Sequence, residues 1–139
     1  MRIVIRLLVV VGLAIDAYVH FHLAKDFKSN NDGAISGDWM FRLEALAAAV
    51  AAVLVAIRAN RFTYLVAFLV AGAGVAAVLL FSYYNLGQIG PMSTIYDPIW
   101  STEKKVSLVG EAVATVAALV GLFLPVSGRT YGRQRVSVG

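Results

Sequence analysis

The sequence predicts an all-α protein, an antiparallel four-helix transmembrane bundle with an ordered extracytoplasmic loop. Three observations predict it. Hydrophobic residues make up 60% of the 139-residue chain and charged residues only 14%, against about 25% charged in soluble domains. The apolar residues gather in four windows, each near the roughly 20 residues that a helix needs to cross a bilayer. The alternating ten-residue pattern of a transmembrane β-barrel is absent, and a lipid environment leaves helices as the remaining way to satisfy the backbone.

The windows follow in order as one four-span domain. The first span runs over 3–24. Its basic start, Arg2 and Arg6, and its apolar run resemble a signal peptide, but the hydrophobicity continues through Tyr18, Val19, Phe21 and Leu23. That length predicts an uncleaved span. The polar stretch from Lys25 to Asp38 comes next, with Asp38 as the expected N-cap of the second span, 39–57. The turn from Arg58 to Arg61 is tight and makes the second and third spans antiparallel neighbours. The third span covers 62–84 and the fourth covers 106–126, which Pro125 and Gly128 are expected to end. The connection from Asn85 to Lys105 is long and contains Gly87, Gly90, Pro91 and Pro98. Such a loop is usually functional or held against the body. Tyr96 and Trp100 suit the headgroup region, so this segment is expected to form a cap that shields the polar residues beneath it.

Basic residues set the expected orientation. Arg2, Arg6, Arg58, Arg61, Arg129, Arg133 and Arg135 fall on one side of the four spans, and Lys25, Lys28, Lys104 and Lys105 fall on the other. The richer side is expected to be cytoplasmic, in a bacterial inner membrane with both termini inside. The formal charge of +4 therefore reads as topology, and no nucleic-acid partner is implied. The absence of cysteine excludes disulfides, thiolate catalysis and iron–sulfur ligation in this chain.

Ionisable residues inside the spans are the candidates for function. Each costs about 2.5–3.5 kcal/mol at the bilayer centre on insertion scales, so it normally faces the bundle interior. Asp16 and His20 are four residues apart and share a helix face. His22 lies about 200° around from His20, so the two histidines do not grip one ion, and a bis-histidine haem site is disfavoured. Ser107, Glu111 and Thr115 form a polar stripe on the fourth span. The expected buried polar cluster, or ligand-binding site, comprises Asp16, His20, Arg42, Glu44 and Glu111. Arg42 either pairs with a carboxylate or reaches for the surface. The ligand types of Asp16, His20, Glu44 and Glu111 suit a cation, but spacing alone fixes no geometry and no metal is assigned. Acid–base pairs that fix helix register, a ligand or docking site, and a proton path all stay open. No catalytic constellation is present, and phosphate loops and zinc signatures are absent.

The second and fourth spans share a short likeness, with EALAAAVA at Glu44–Ala51 and EAVATVAA at Glu111–Ala118. The segments AYVHFHLA (Ala17 to Ala24), FRLEALAA (Phe41 to Ala48), GPMSTIYDPIWSTEKK (Gly90 to Lys105) and GEAVA (Gly110 to Ala114) resemble a group of small four-span bacterial membrane proteins. In size and span count the chain is loosely similar to DoxX-like proteins. The resemblance carries over no catalytic residue. DoxX-like proteins accompany membrane oxidoreductases in some cases, which implies a quinone- or lipid-binding or redox-accessory protein as one expectation. The leading expectation is a non-enzymatic accessory or assembly subunit that meets other membrane subunits or a second copy through small-residue faces such as Gly72, Gly74, Ala76 and Ala77. A proton-coupled small transporter is the third.

Overall fold

Helix α1 (Arg2–Leu23) leads into a short 3-10 turn (Ala24–Phe27), and three further helices follow: α2 (Gly37–Ile57), α3 (Arg61–Tyr83) and α4 (Thr102–Phe123). The structure is a computed structural model that describes residues 2–87 and 89–124. All four helices are long and apolar enough to cross a membrane, and the described residues contain no strand. The chain is a multi-pass membrane protein. Each helix packs on its sequence neighbour, and α4 closes the ring against α1. We call the end that carries the 24–36 and 84–101 connections the loop end, and the end with the 58–60 turn the turn end.

Small residues let the helices approach, as expected where lipid removes most of the hydrophobic drive for helix association. The closest approach joins α1 to α4. A Cβ added to Gly12 would lie 2.6 Å from the Gly110 carbonyl oxygen and 2.9 Å from Ala114 Cβ. Below this crossing, toward the turn end, the core is apolar: Ile5, Val9 and Leu13 of α1 meet Ala48, Ala51 and Val55 of α2, with Ala67, Ala71, Ala114 and Ala118 from the other two helices. Large side chains such as Leu7, Leu46, Leu69 and Val116 are exposed on the outside, where lipid covers them in a membrane.

Polar chemistry closes both ends. At the turn end, Asn60 and Thr63 form a capping box at the start of α3, with Thr63 N–H donating to Asn60 Oδ1 at 2.9 Å. Arg6 donates to the Val55 carbonyl at 3.1 Å and to the Ala56 carbonyl. It thereby satisfies carbonyls that the last turn of α2 leaves without partners. At the loop end, the two connections bind each other. Ile35 N–H donates to the Pro91 carbonyl at 2.8 Å, and Ser93 N–H donates to the Ile35 carbonyl at 3.1 Å. Asn30 Nδ2 donates to the Thr94 carbonyl at 3.0 Å. The Thr94 N–H donates to Asp32 Oδ1 at 2.6 Å, and the Thr94 hydroxyl donates to Asp32 Oδ2. These bonds hold the Asp32 carboxyl below its ordinary range.

Helix boundaries shift from the expected ones. Asp38 lies inside the first turn of α2, and Ser36 is the N-cap; Ser36 donates its hydroxyl to Asp38 Oδ1 at 2.5 Å. Helix α4 starts at Thr102, four residues before the apolar window, because the Ser101 side chain accepts the Lys104 N–H at 3.2 Å. A helix is set by its cap, whereas the window registers only where hydropathy rises. Described α4 ends at Phe123. Pro125 and Gly128, offered as its stop signals, and Arg129, Arg133 and Arg135 lie outside the described residues.

Candidate functional site

Three helices bring carboxyl groups to one level. Asp16 lies seven residues before the loop end of α1 at Leu23, Glu44 seven residues after the start of α2 at Gly37, and Glu111 nine after the start of α4 at Thr102. At 1.5 Å per residue these depths are about 10–14 Å. Helices α2 and α4 are the two ring neighbours of α1, so Glu44 and Glu111 approach the Asp16–His20 face from two sides. The matching EALAAAVA and EAVATVAA segments thus stand on diagonal helices that run in the same direction.

Asp16 and Glu111 are fully buried, and the His20 side chain is 12% exposed. His20 Nδ1 stands 2.6 Å from Asp16 Oδ1 and 3.8 Å from Glu111 Oε1. The same nitrogen is 3.0 Å from the Asp16 main-chain carbonyl, in hydrogen-bond alignment with it. Ser107 donates its hydroxyl to Glu111 Oε1 at 2.9 Å. Both carboxyl oxygens of Asp16, with Glu44 Oε1 and Glu111 Oε2, are buried without a hydrogen-bond partner. The Asp16 Oδ1 approach to His20 is therefore an ion-pair distance without hydrogen-bond alignment.

Gly74 of α3 makes room for this group. A Cβ there would lie 2.8 Å from Glu111 Cδ and 2.9 Å from Glu111 Oε2, so any side chain would displace the carboxyl. Of the small residues on α3, Gly74 is the one whose space is filled from within the chain. Gly72 faces Thr115 of α4 and Ala77 lines a cavity, while Ala76 is exposed.

The other candidates separate from the group. Arg42, placed with the cluster on sequence grounds, pairs with Asp38 at 3.2 Å and lies over the Trp39 ring at 5.1 Å. Its long side chain reaches the loop end, one turn of α2 away from Glu44. His22 is exposed and stacks on Tyr18 with ring centres 5.8 Å apart, so the two histidines diverge as the helix angle requires. In the 84–101 connection, Tyr96 is exposed, while Trp100 is half-buried beside Tyr83.

A cavity of about 460 Å³ lies between the helices at the loop end. Val19 and Leu23 of α1, Phe41 of α2 and Ala77, Val78 and Phe81 of α3 form its apolar wall, and Ile35, Met92 and Ile95 of the connections roof it. His20, Glu44 and Ser107 bring polar atoms to the same cavity. The His20 ring lies against Phe41, whose other neighbour is Phe27 at 4.2 Å. Leu43 lines the cavity and is 51% exposed on the outside of α2.

Lys104 is a residue that the sequence reading used only as a topology charge. It is buried, donates to the Asp97 and Ile99 carbonyls, and stands 3.6 Å from the Asp97 carboxylate. Its ammonium also lies 4.7 Å from the centre of the Trp100 ring. It staples the connection to α4 at the rim of the cavity. The available signal was spacing: Lys104, Ser107 and Glu111 are three and four residues apart and share one face of α4.

Together, fold and site define a four-span helical membrane protein with a loop-roofed apolar cavity ending at a group of buried carboxyls and one imidazole. No family model, curated protein or solved structure matches the chain.

Proposed function

We propose that the protein binds a small apolar molecule with a polar head, of quinone or lipid class, taken from the bilayer into the loop-end cavity. The observation that carries this reading is the cavity itself: an apolar wall that ends on His20, Glu44 and Ser107. Its volume falls in the usual range for small-molecule sites, about 300–1,000 Å³. An apolar tail gains from the wall, and a carbonyl or hydroxyl head finds hydrogen-bond partners at the floor. A cavity wall that includes Leu43, half exposed on the outside of α2, supports entry from lipid. The loose DoxX-like resemblance points the same way. The proposed setting is the bacterial cytoplasmic membrane, and the arginine distribution supports an orientation with the loop end extracytoplasmic.

The accessory-subunit reading rests on the small residues of α3, of which Gly74 is taken up by Glu111 and Ala77 lines the cavity, while Ala76 is exposed. The apolar core below the cluster weighs against proton-coupled transport. The test is purification in mild detergent, solvent extraction and mass spectrometry of the bound lipids and quinones, beside an Ala77→Phe variant whose ring projects into the cavity. A reproducible species in the native chain, depleted in the variant, is expected. The reading fails if both retain the same lipids in the same amounts. Native mass spectrometry that recovers a stoichiometric protein partner, with no retained small molecule, would restore the accessory-subunit reading.

A further inference from the structure

The carboxyl group beneath the cavity raises a separate question of charge. Asp16, Glu111 and Glu44 come together around a single imidazole, with Asp16 and Glu111 fully buried. The basic side chains of the loop end are elsewhere: Arg42 is held by Asp38 and Lys104 by Asp97 and Ile99, and Lys25, Lys28 and Lys105 are exposed. Buried, uncompensated carboxylates are costly in a membrane interior. Two protons shared among the carboxyls would offset the charge, and so would one divalent cation.

The geometry points to the cation. We propose that Asp16, His20 and Glu111 form a site for one divalent transition-metal ion, with Glu44 facing it from α2. One donor atom from each of the three residues lies within 4.8 Å of the others. Atoms bound to a common ion at about 2.0–2.2 Å stand roughly 3–4 Å apart; the 3.8 Å separation of His20 Nδ1 from Glu111 Oε1 falls in that range, and the 2.6 Å separation from Asp16 Oδ1 must widen by about 0.5 Å. The second observation is the set of fully buried oxygens without hydrogen-bond partners, Asp16 Oδ2 and Glu111 Oε2 among them. An imidazole nitrogen among carboxylates selects zinc, manganese or iron over magnesium or calcium. Ser107 holds Glu111 from behind, as outer partners of metal-ligating carboxylates do. Gly74 keeps the volume that the Glu111 carboxyl needs. Binding through Nδ1 gives up the hydrogen bond to the Asp16 carbonyl, the proton of the neutral ring moving to Nε2, and protons shared among the carboxyls leave to solvent as the ion enters. The inference does not depend on what fills the cavity above.

The test uses tag-free full-length protein in detergent, stripped with chelator and then titrated with Zn²⁺ or Co²⁺ alone. Bound metal is counted by mass spectrometry, and Co²⁺ is followed by its visible absorption. About one ion per chain is expected, with proton release on binding. Asp16→Asn and Glu111→Gln should each weaken binding at least tenfold, roughly the effect of losing even an outer partner, while His22→Gln on the lipid face should leave it unchanged. If either carboxamide variant fails to fold, His20→Gln supplies the same reading. Folded native protein that takes up neither metal overturns the proposal and leaves shared protons as the counter-charge. So does binding that survives these substitutions, or that disappears with His22.

Discussion

Replacing Gly12 by alanine tests whether the α1–α4 crossing governs the stability of the bundle. The new Cβ would lie 2.6 Å from the Gly110 carbonyl oxygen, 2.9 Å from Ala114 Cβ and 3.2 Å from Ala114 N. Carbon contacts are most favourable at about 3.5–4.0 Å, and two of the obstructing atoms belong to the main chain. No rotamer change relieves them, so the helices must part by roughly 0.5–1 Å, which forfeits a quarter to a half of each dispersion contact along the seam. The affected side chains include Val9, Leu13, Ala114 and Ala117. The expected destabilisation is about 1–3 kcal/mol, the usual range for overpacking. Alanine's higher helix propensity, up to about 1 kcal/mol in water, offsets little, because a span that leaves the bundle stays helical in lipid. Gly72→Ala is the matched control. Its Cβ meets only Thr115 Cγ2, at 3.8 Å, so it should be neutral or stabilise by a few tenths of a kcal/mol, about two or three added carbon contacts. Both are measured by SDS titration in mixed micelles, following Trp39 and Trp100 fluorescence. Equal midpoints for the two variants, or a Gly12→Ala midpoint at the native value, would refute the reasoning.

Three other outcomes follow from the ends of the bundle. Asn60→Ala removes the acceptor of the Thr63 N–H and should cost about 0.5–2 kcal/mol in the same titration; an unchanged midpoint would mean that the turn end contributes nothing. Because Thr94 holds the Asp32 carboxyl below its ordinary range, its stabilising contribution is complete above the ordinary aspartate pKa of about 3.9 and is lost as pH falls through the lowered folded value. Amide exchange at Thr94 should therefore be steady from neutral pH down to about pH 5 and deprotected in more acid solution once intrinsic rates are corrected, and Asp32→Asn should abolish the transition; a profile identical in the variant would contradict this. Reporter fusions at Ala59 should be active only as cytoplasmic reporters, given the arginines on that side, and periplasmic activity alone would reverse the proposed orientation.

The fold class was legible in the sequence because a membrane imposes a length and a polarity on each helix that any window of about 20 residues displays. The four spans, the tight 58–60 turn and the divergence of His20 from His22 follow from local spacing alone. Helix starts were less legible. Ser101 caps α4 with its side chain and Ser36 occupies the N-cap position of α2, both outside the apolar windows, where hydropathy carries no information. The buried character of Asp16 and Glu111 was readable from cost, since an unpaired carboxyl facing lipid is expensive. Their common neighbour was not, because helical spacing relates residues on one helix and says nothing of the register between helices. Tertiary structure decided that register through the Gly12–Gly110 crossing, which sets Glu111 opposite His20, and through Gly74, whose missing side chain leaves space for the carboxyl. It also decided that Arg42 leaves the cluster for Asp38 and that the two connections roof a cavity. Those outcomes depend on which surfaces meet and at what distance, and a linear chain specifies them only through packing.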